Sequence, residues 1–244
     1  MSNKDPIEGF GVAEHVASFL LNEAFHYAHE AAVQEVAGDI FGELIQEIDL
    51  DPSWQIPEIP TALPDWLEQR NEIEENILDP TTAKRMSDAW YSSLNNAIKS
   101  GRKIPKTRRF QSTTDIVGHA INLTVCLEAV LNRHLFLLSE SEQLSIDHYR
   151  SIDHAELMPK LLFCFKEEIV AKKLNISRVK NLVKLRNHSV HYRINSPESL
   201  HPSAEDLIET WRELGSVFAL THGEPTQSDI QELSQEFVAK WIAK

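Results

Sequence analysis

STTDIVGHAINLTVCLEAVLNRHLFLL, residues 112–138, is the most apolar stretch of the chain, and its reading decides the fold. Ile116, Ile121, Leu123, Val125, Leu127, Val130, Leu131, Leu135 and Leu138 recur at three- and four-residue spacing, the period of a helix with a broad buried face. Ser112 stands in front of them as a capping residue. So apolar a helix needs partners, and the rest of the chain reads as more helix. Over residues 12–48 the pattern recurs through Val12, Val16, Phe19, Leu20, Ala24, Tyr27, Ala28, Ala31 and Val36, with Gly38 and Gly42 as points of bending. Further helices are predicted over 65–78, over 79–100 behind an Asp79 cap, and within 140–149. Others are predicted over 155–174, where Pro159 is tolerable only in the first turn, and from Asn175 or Ser177 to Tyr192. The pairs Ser203/Asp206 and Thr226/Asp229 have the spacing of capping boxes and open the last two helices.

Composition agrees. Eight glycines and eleven prolines in 244 residues leave few turns, which favours long elements, and a chain of this size buries a core without disulfide or metal staples. There is no alternating strand pattern, internal repeat or low-complexity tract. The expected class is all-α, a helical bundle with an N-terminal helical extension. Four prolines within residues 51–64 (DPSWQIPEIPTALP) predict an extended linker. The expected organisation is an acidic helical region over 1–110 ending in a basic connection, a bundle over 111–222, and a C-terminal helix over 223–244. Cys126 and Cys164 stand alone in apolar stretches, with no second cysteine or histidine at ligand spacing, and read as small core residues of a reducing compartment. No apolar run approaches the roughly 18 residues of a membrane span, and MSNKDPIEGF lacks the start of a signal peptide. The expectation is a cytoplasmic protein with no membrane partner.

The net charge of −13 argues at first against a nucleic-acid partner, because phosphate repels a uniformly acidic surface. It is not uniform. Residues 1–80 carry 18 acids and 2 bases, residues 81–110 carry 1 acid and 8 bases, residues 111–195 are mildly basic, and residues 196–244 are acidic again. The basic stripe Lys99, Arg102, Lys103, Lys106, Arg108 and Arg109 ends at Phe110. Lys103, Lys106, Arg108 and Arg109 are candidate RNA-binding residues, with Phe110 as a stacking platform. Equally, the stripe can be a solvated loop that neutralises acidic surface within or between chains.

Several chemistries drop out. There is no GxxxxGK[ST], GxSxG or HExxH, and Gly9 and Gly11 form a GxG without a third glycine or a preceding strand. Glu23, His26 and His29 form an ExxH and an HxxH on one helical face, half of a carboxylate-bridged metal site. The only other ExxH, Glu198 to His201, lies between Pro197 and Pro202 in a predicted loop. No metal site and no cofactor is therefore assigned.

One segment keeps its chemical interest: KNLVKLRNHSVHYRIN, residues 180–195. Val179, Leu182, Val183 and Val190 give a packing stripe, which Arg186, Asn187, His188 and His191 interrupt with polar groups. At about 100° per residue, Asn187 and His191 share a face, and a long Arg186 side chain can reach the same cleft. An arginine for phosphate charge beside a histidine that moves protons near neutral pH suits phosphodiester cleavage without a metal. Alternatively, Arg186 and His191 finish a helix by bonding its last carbonyls and an acidic neighbour.

Arg186, four intervening residues and His191, with polar Asn187 directly after the arginine and an aliphatic lead-in, resemble the R-x4-6-H signature of HEPN domains. The helix containing LTVCLEAVLNRHLFLL, residues 123–138, is similar to the one that precedes the signature helix in that family. The resemblance spans roughly residues 111–221 and leaves the first 110 residues aside. It implies a small helical bundle that dimerises with the signature at the dimer cleft. It also implies a metal-independent endoribonuclease of toxin–antitoxin, defence or RNA-processing systems, with RNA as substrate and an antitoxin or other protein as partner. His191 would then be general base or acid, Arg186 would stabilise the pentavalent phosphate and Asn187 would position it. Tyr192 and Arg193 would add RNA contacts. A non-catalytic module for dimerisation and for protein or nucleotide binding is the alternative that the same resemblance leaves open.

Overall fold

The computed structural model describes residues 6–50, 81, 88, 104–106, 108–111, 113–191 and 201–242. Among them lie eight helices and no strand: α1 Pro6–Leu50, α2 Thr113–Glu140, α3 Ile146–Asp153, α4 Leu157–Cys164, α5 Lys166–Val170, α6 Ser177–His191, α7 Ala204–Phe218 and α8 Gln227–Trp241. The chain is all-α. The linker expected over 51–64 and the helices expected over 65–78 and 79–100 fall outside the described residues, except that Thr81 and Asp88 are helical.

Contacts divide the chain into two units, one of Met1–Ala31 with Lys106–Ala239, the other of Ala32–Pro105 with Lys240–Lys244. This grouping does not follow the division into 1–110, 111–222 and 223–244 read from charge and proline content. The reason lies in α1. Its residues Ala17, Leu21, Ala24, Ala28 and Ala31 form a buried stripe at three- and four-residue spacing. Small side chains there let helices approach closely: the Tyr27 ring lies over Gly118 of α2, and the Ala24 carbonyl meets His119 of α2. Phe25 of α1, Trp211 of α7 and Phe237 of α8 close into an aromatic cluster, with ring centroids 5.6 Å apart for Phe25–Trp211 and 5.1 Å for Trp211–Phe237.

α2 is the central helix of the first unit. Ile116, Ala120, Leu123, Leu127, Val130, Leu131 and Leu135 are fully buried, and the helix packs against α3, α4 and α6, with α1 meeting it at Gly118 and His119. Ile121 and Leu138 are half-buried and Val125 is exposed, so the apolar positions expected to face inward do not all do so. By length and composition Thr114–Glu140 could also cross a membrane, contrary to the sequence expectation, and half of its most apolar window is buried inside the fold.

The helix predicted over 155–174 is two helices. Phe165, with φ −128° and ψ 29°, leaves helical geometry between α4 and α5, and its ring is buried in a stack on His134 with centroids 5.4 Å apart. Tertiary packing of one aromatic outweighs local propensity there. The short helix expected within 140–149 starts later, at Ile146, because Ser145 caps it by accepting from the His148 amide. The capping box of Ser203 and Asp206 is present at α7, and the Thr226 amide and hydroxyl both donate to Asp229 ahead of α8.

Two polar devices fix α6. The Glu213 carboxylate of α7 accepts from the Ser177 hydroxyl and from the amides of Arg178 and Val179, at 3.0, 2.7 and 3.1 Å, so a neighbouring helix caps the α6 N-terminus. Asn175 contributes as expected, accepting from the Ser177 amide. The chain also returns to itself at a neck: Arg109 bridges Ser203, the Phe110 amide donates to the Pro202 carbonyl, and His201 Nδ1 donates to the Phe110 carbonyl.

In the second unit the described residues show the later part of α1, with Ala32 and Val36 buried, and a parallel bridge between Ile104 and Ile242, both buried.

Candidate functional site

α6 presents its buried side through Val179, Leu182 and Leu185. Val190, expected in that stripe, is 47 % exposed, and Leu185 takes its place because 178, 181, 182 and 185 share one face at 100° per residue. About 130° round the helix lie Val183, Arg186 and Asn187. These three line a cleft of about 570 Å³ with Thr124, Val125 and Glu128 of α2 and with Glu156, Leu157 and Met158 at the start of α4. The Arg186 Nη1 donates to Asn187 Oδ1 at 3.0 Å, which holds the two polar groups side by side.

The structure thus brings together Arg186 and Asn187. α6 ends at His191, whose side chain lies outside the described ones, as do Tyr192, Arg193 and Lys103. His188 is half-buried, and its Nδ1 is buried without a hydrogen-bond partner among the described residues.

Two carboxylates in the cleft, Glu128 and Glu156, were not singled out in the sequence. Beneath Glu128 sits Lys160 of α4, its side chain 3 % exposed, with Nζ donating to Glu128 Oε1 at 3.3 Å and to Asn132 Oδ1 at 2.8 Å. Two of the three ammonium donors thus meet acceptors, one of them charged, which offsets the cost of a lysine in the core. The sequence carried a signal for it: Lys160 is the one charged residue in the apolar run LMPKLLFC.

The basic stripe looks different in three dimensions. Lys106 is exposed, but Arg109 is tied down, its Nη1 donating to the His201 carbonyl at 3.0 Å and to Asp206 at 3.2 Å. Phe110 is fully buried, so it offers no face to an unpaired base, contrary to expectation; its amide at the neck draws it inward. Asp206 also receives Arg178. Burial alone would raise the Asp206 pKa, but the Ser203 amide and hydroxyl, Arg178 and Arg109 together hold it below the ordinary carboxylate value.

Among the described residues no three His, Cys, Asp or Glu side chains cluster as metal ligands. Both cysteines are free thiols pushed up to about 12 by burial, which keeps them protonated and unreactive at neutral pH.

No family model, curated protein or solved structure matches the chain.

Proposed function

We propose that the protein is a metal-independent endoribonuclease of HEPN type, acting in defence or a toxin–antitoxin pair, with Arg186, Asn187 and His191 as its working residues. The observation that carries this reading is the hydrogen-bonded Arg186–Asn187 pair on the wall of an open cleft, one helical turn before His191. A guanidinium already oriented by its neighbour can meet a phosphate without further ordering. His191 would take the proton of a ribose 2′-hydroxyl or return one to the leaving oxygen. Val190, exposed beside this site, and Val125, exposed on the cleft wall, are apolar surface that a second copy would cover, bringing a second Arg–His pair to the groove.

The test is cleavage of labelled RNA by the purified chain in the presence of a chelator. His191→Ala should lose about 10²- to 10⁴-fold in rate while keeping its melting temperature. Robust cleavage by that variant, or a requirement for a divalent ion, rejects the mechanism.

A second reading has its own observation. Glu128 and Glu156 line the same cleft and oppose a phosphate in a single copy. They favour a non-catalytic dimerising module that binds a protein, for which the purified chain dimerises and leaves RNA intact at low salt.

A further inference from the structure

A second pocket, of about 310 Å³, opens on the other face of α6, away from Arg186. Arg109 and Arg178 line it on one part, Leu182, Leu185 and Leu207 form apolar wall, and His119 also lines it. Its size is at the lower end of small-molecule sites, which run from roughly 300 to 1,000 Å³.

His119 makes it more than a crevice. The residue is fully buried, its Nδ1 lies 2.9 Å from the Ala24 carbonyl, and its Nε2 has no partner among the described residues. A carbonyl can only accept, so Nδ1 carries the proton. Burial lowers the His119 pKa to about 4, so the ring is neutral near pH 7 and Nε2 offers a lone pair. A buried acceptor without a donor costs stability, and a ligand N–H or O–H would supply the missing bond.

The guanidiniums set the other end. The described bonds of Arg109 and Arg178 all leave from Nη1, toward Asp206 and the His201 carbonyl, and each guanidinium has further N–H donors. Two guanidiniums sharing one ionised carboxylate leave a single net positive charge. A monoanion balances it, whereas a phosphate dianion would leave excess negative charge in a partly buried site.

We propose that this pocket binds a small organic monocarboxylate that carries an O–H or N–H donor at its far end. The carboxylate takes the free N–H groups of Arg109 and Arg178, the apolar body lies against Leu182, Leu185 and Leu207, and the donor reaches His119 Nε2. The site does not depend on the ribonuclease reading, since it uses a different face of α6.

The experiment is calorimetric titration of the full chain with 4-hydroxybenzoate and 6-hydroxyhexanoate, each against its parent acid lacking the hydroxyl, and with inorganic phosphate. At least one hydroxy acid should bind about fivefold tighter than its parent, the contribution of one hydrogen bond to a buried acceptor. Arg109→Ala, at a side chain 60 % exposed and hence safe for folding, should weaken it about tenfold. His119→Leu should abolish the advantage of the hydroxyl while the parent acid still binds; if that variant does not fold, Leu185→Trp, which fills the pocket, should remove binding of both acids. Absence of heat with both hydroxy acids up to about 10 mM overturns the proposal. So does equal affinity with and without the hydroxyl, insensitivity to Arg109→Ala, or tighter binding of phosphate than of either acid.

Discussion

Glu213 on α7 accepts the amide of Arg178 on α6 at 2.7 Å, so the helix that carries Arg186 and His191 begins on a carboxylate supplied by its neighbour. Glu213 is buried, and the same carboxylate takes the Val179 amide and the Ser177 hydroxyl. Truncation to Glu213→Ala strands three donors at once. We expect a loss of about 1–3 kcal/mol in urea unfolding, with Glu213→Gln recovering part of it. A loss below about 0.5 kcal/mol would show that water replaces the cap.

His119 predicts the sign of the pH dependence. Its pKa falls from 6.5 to about 4 in the folded chain because burial disfavours the charged form, with the Ala24 bond opposing. The unfolded chain therefore takes up the proton first. Stability should fall as pH drops from about 6.5 toward about 4 and then level off, by about 2 kcal/mol at pH 5 from this residue alone. Denaturant titrations at pH 7.5 and pH 5 measure it. The wild type should lose more between the two than His119→Asn does, and an equal loss would place the titration elsewhere.

Gly118 inverts a familiar rule. In a helix interior, glycine to alanine ordinarily gains about 1 kcal/mol. Here a Cβ would meet Tyr27 ring carbons of α1 at 2.7–2.8 Å, closer than atoms can sit. Gly118→Ala should cost about 1–3 kcal/mol. Adding Tyr27→Ala should make the same substitution less harmful, and a double-mutant cycle reads that coupling directly. Additive effects would mean that the Tyr27 ring does not rest on Gly118.

Lys160 and Glu128 are unequal partners, since the lysine side chain is buried and the glutamate is 43 % exposed. Glu128→Ala leaves the ammonium with Asn132 and should cost about 1–3 kcal/mol, whereas the pair Glu128→Ala with Lys160→Met should cost less. Thermal melts of the two variants beside the wild type decide it. A double variant as unstable as Glu128→Ala alone would show that packing, and not the stranded charge, sets the cost.

Much of the fold was legible because it rests on periodicity. The 112–138 stretch and the Ser203/Asp206 box are local patterns with local causes; along α1 the period held for Ala24, Ala28 and Ala31, but Val16 and Phe19 are exposed and Ala17 and Leu21 take the buried positions. What was not legible depends on partners far along the chain. Phe165 breaks a helix to stack on His134, and Phe110 turns inward because residues near 202 take its amide. Asp206 draws Arg109 to the neck across a separation of 97 residues, which no reading of a basic run can foresee. At the candidate site, Arg186 and Asn187 stood out as polar breaks in the apolar stripe of α6 and through the R-x4-6-H resemblance, while helical spacing alone paired Asn187 with His191. Glu128 and Lys160 were missed because an ion pair between two helices has no signature in either one.

The neck at Arg109, Phe110, His201 and Ser203 has a consequence for the order of folding. α2 meets α3 and α4, its near neighbours in the chain, after short loops, while the neck must close about 90 residues of intervening polypeptide. Loop-closure entropy makes it a late event in expectation, so Arg109 would join the Arg178–Asp206 pair, which spans only 28 residues, after the rest of the bundle. Any molecule held between those guanidiniums would act as a clasp, lowering the rate at which the bundle springs open far more than it speeds assembly.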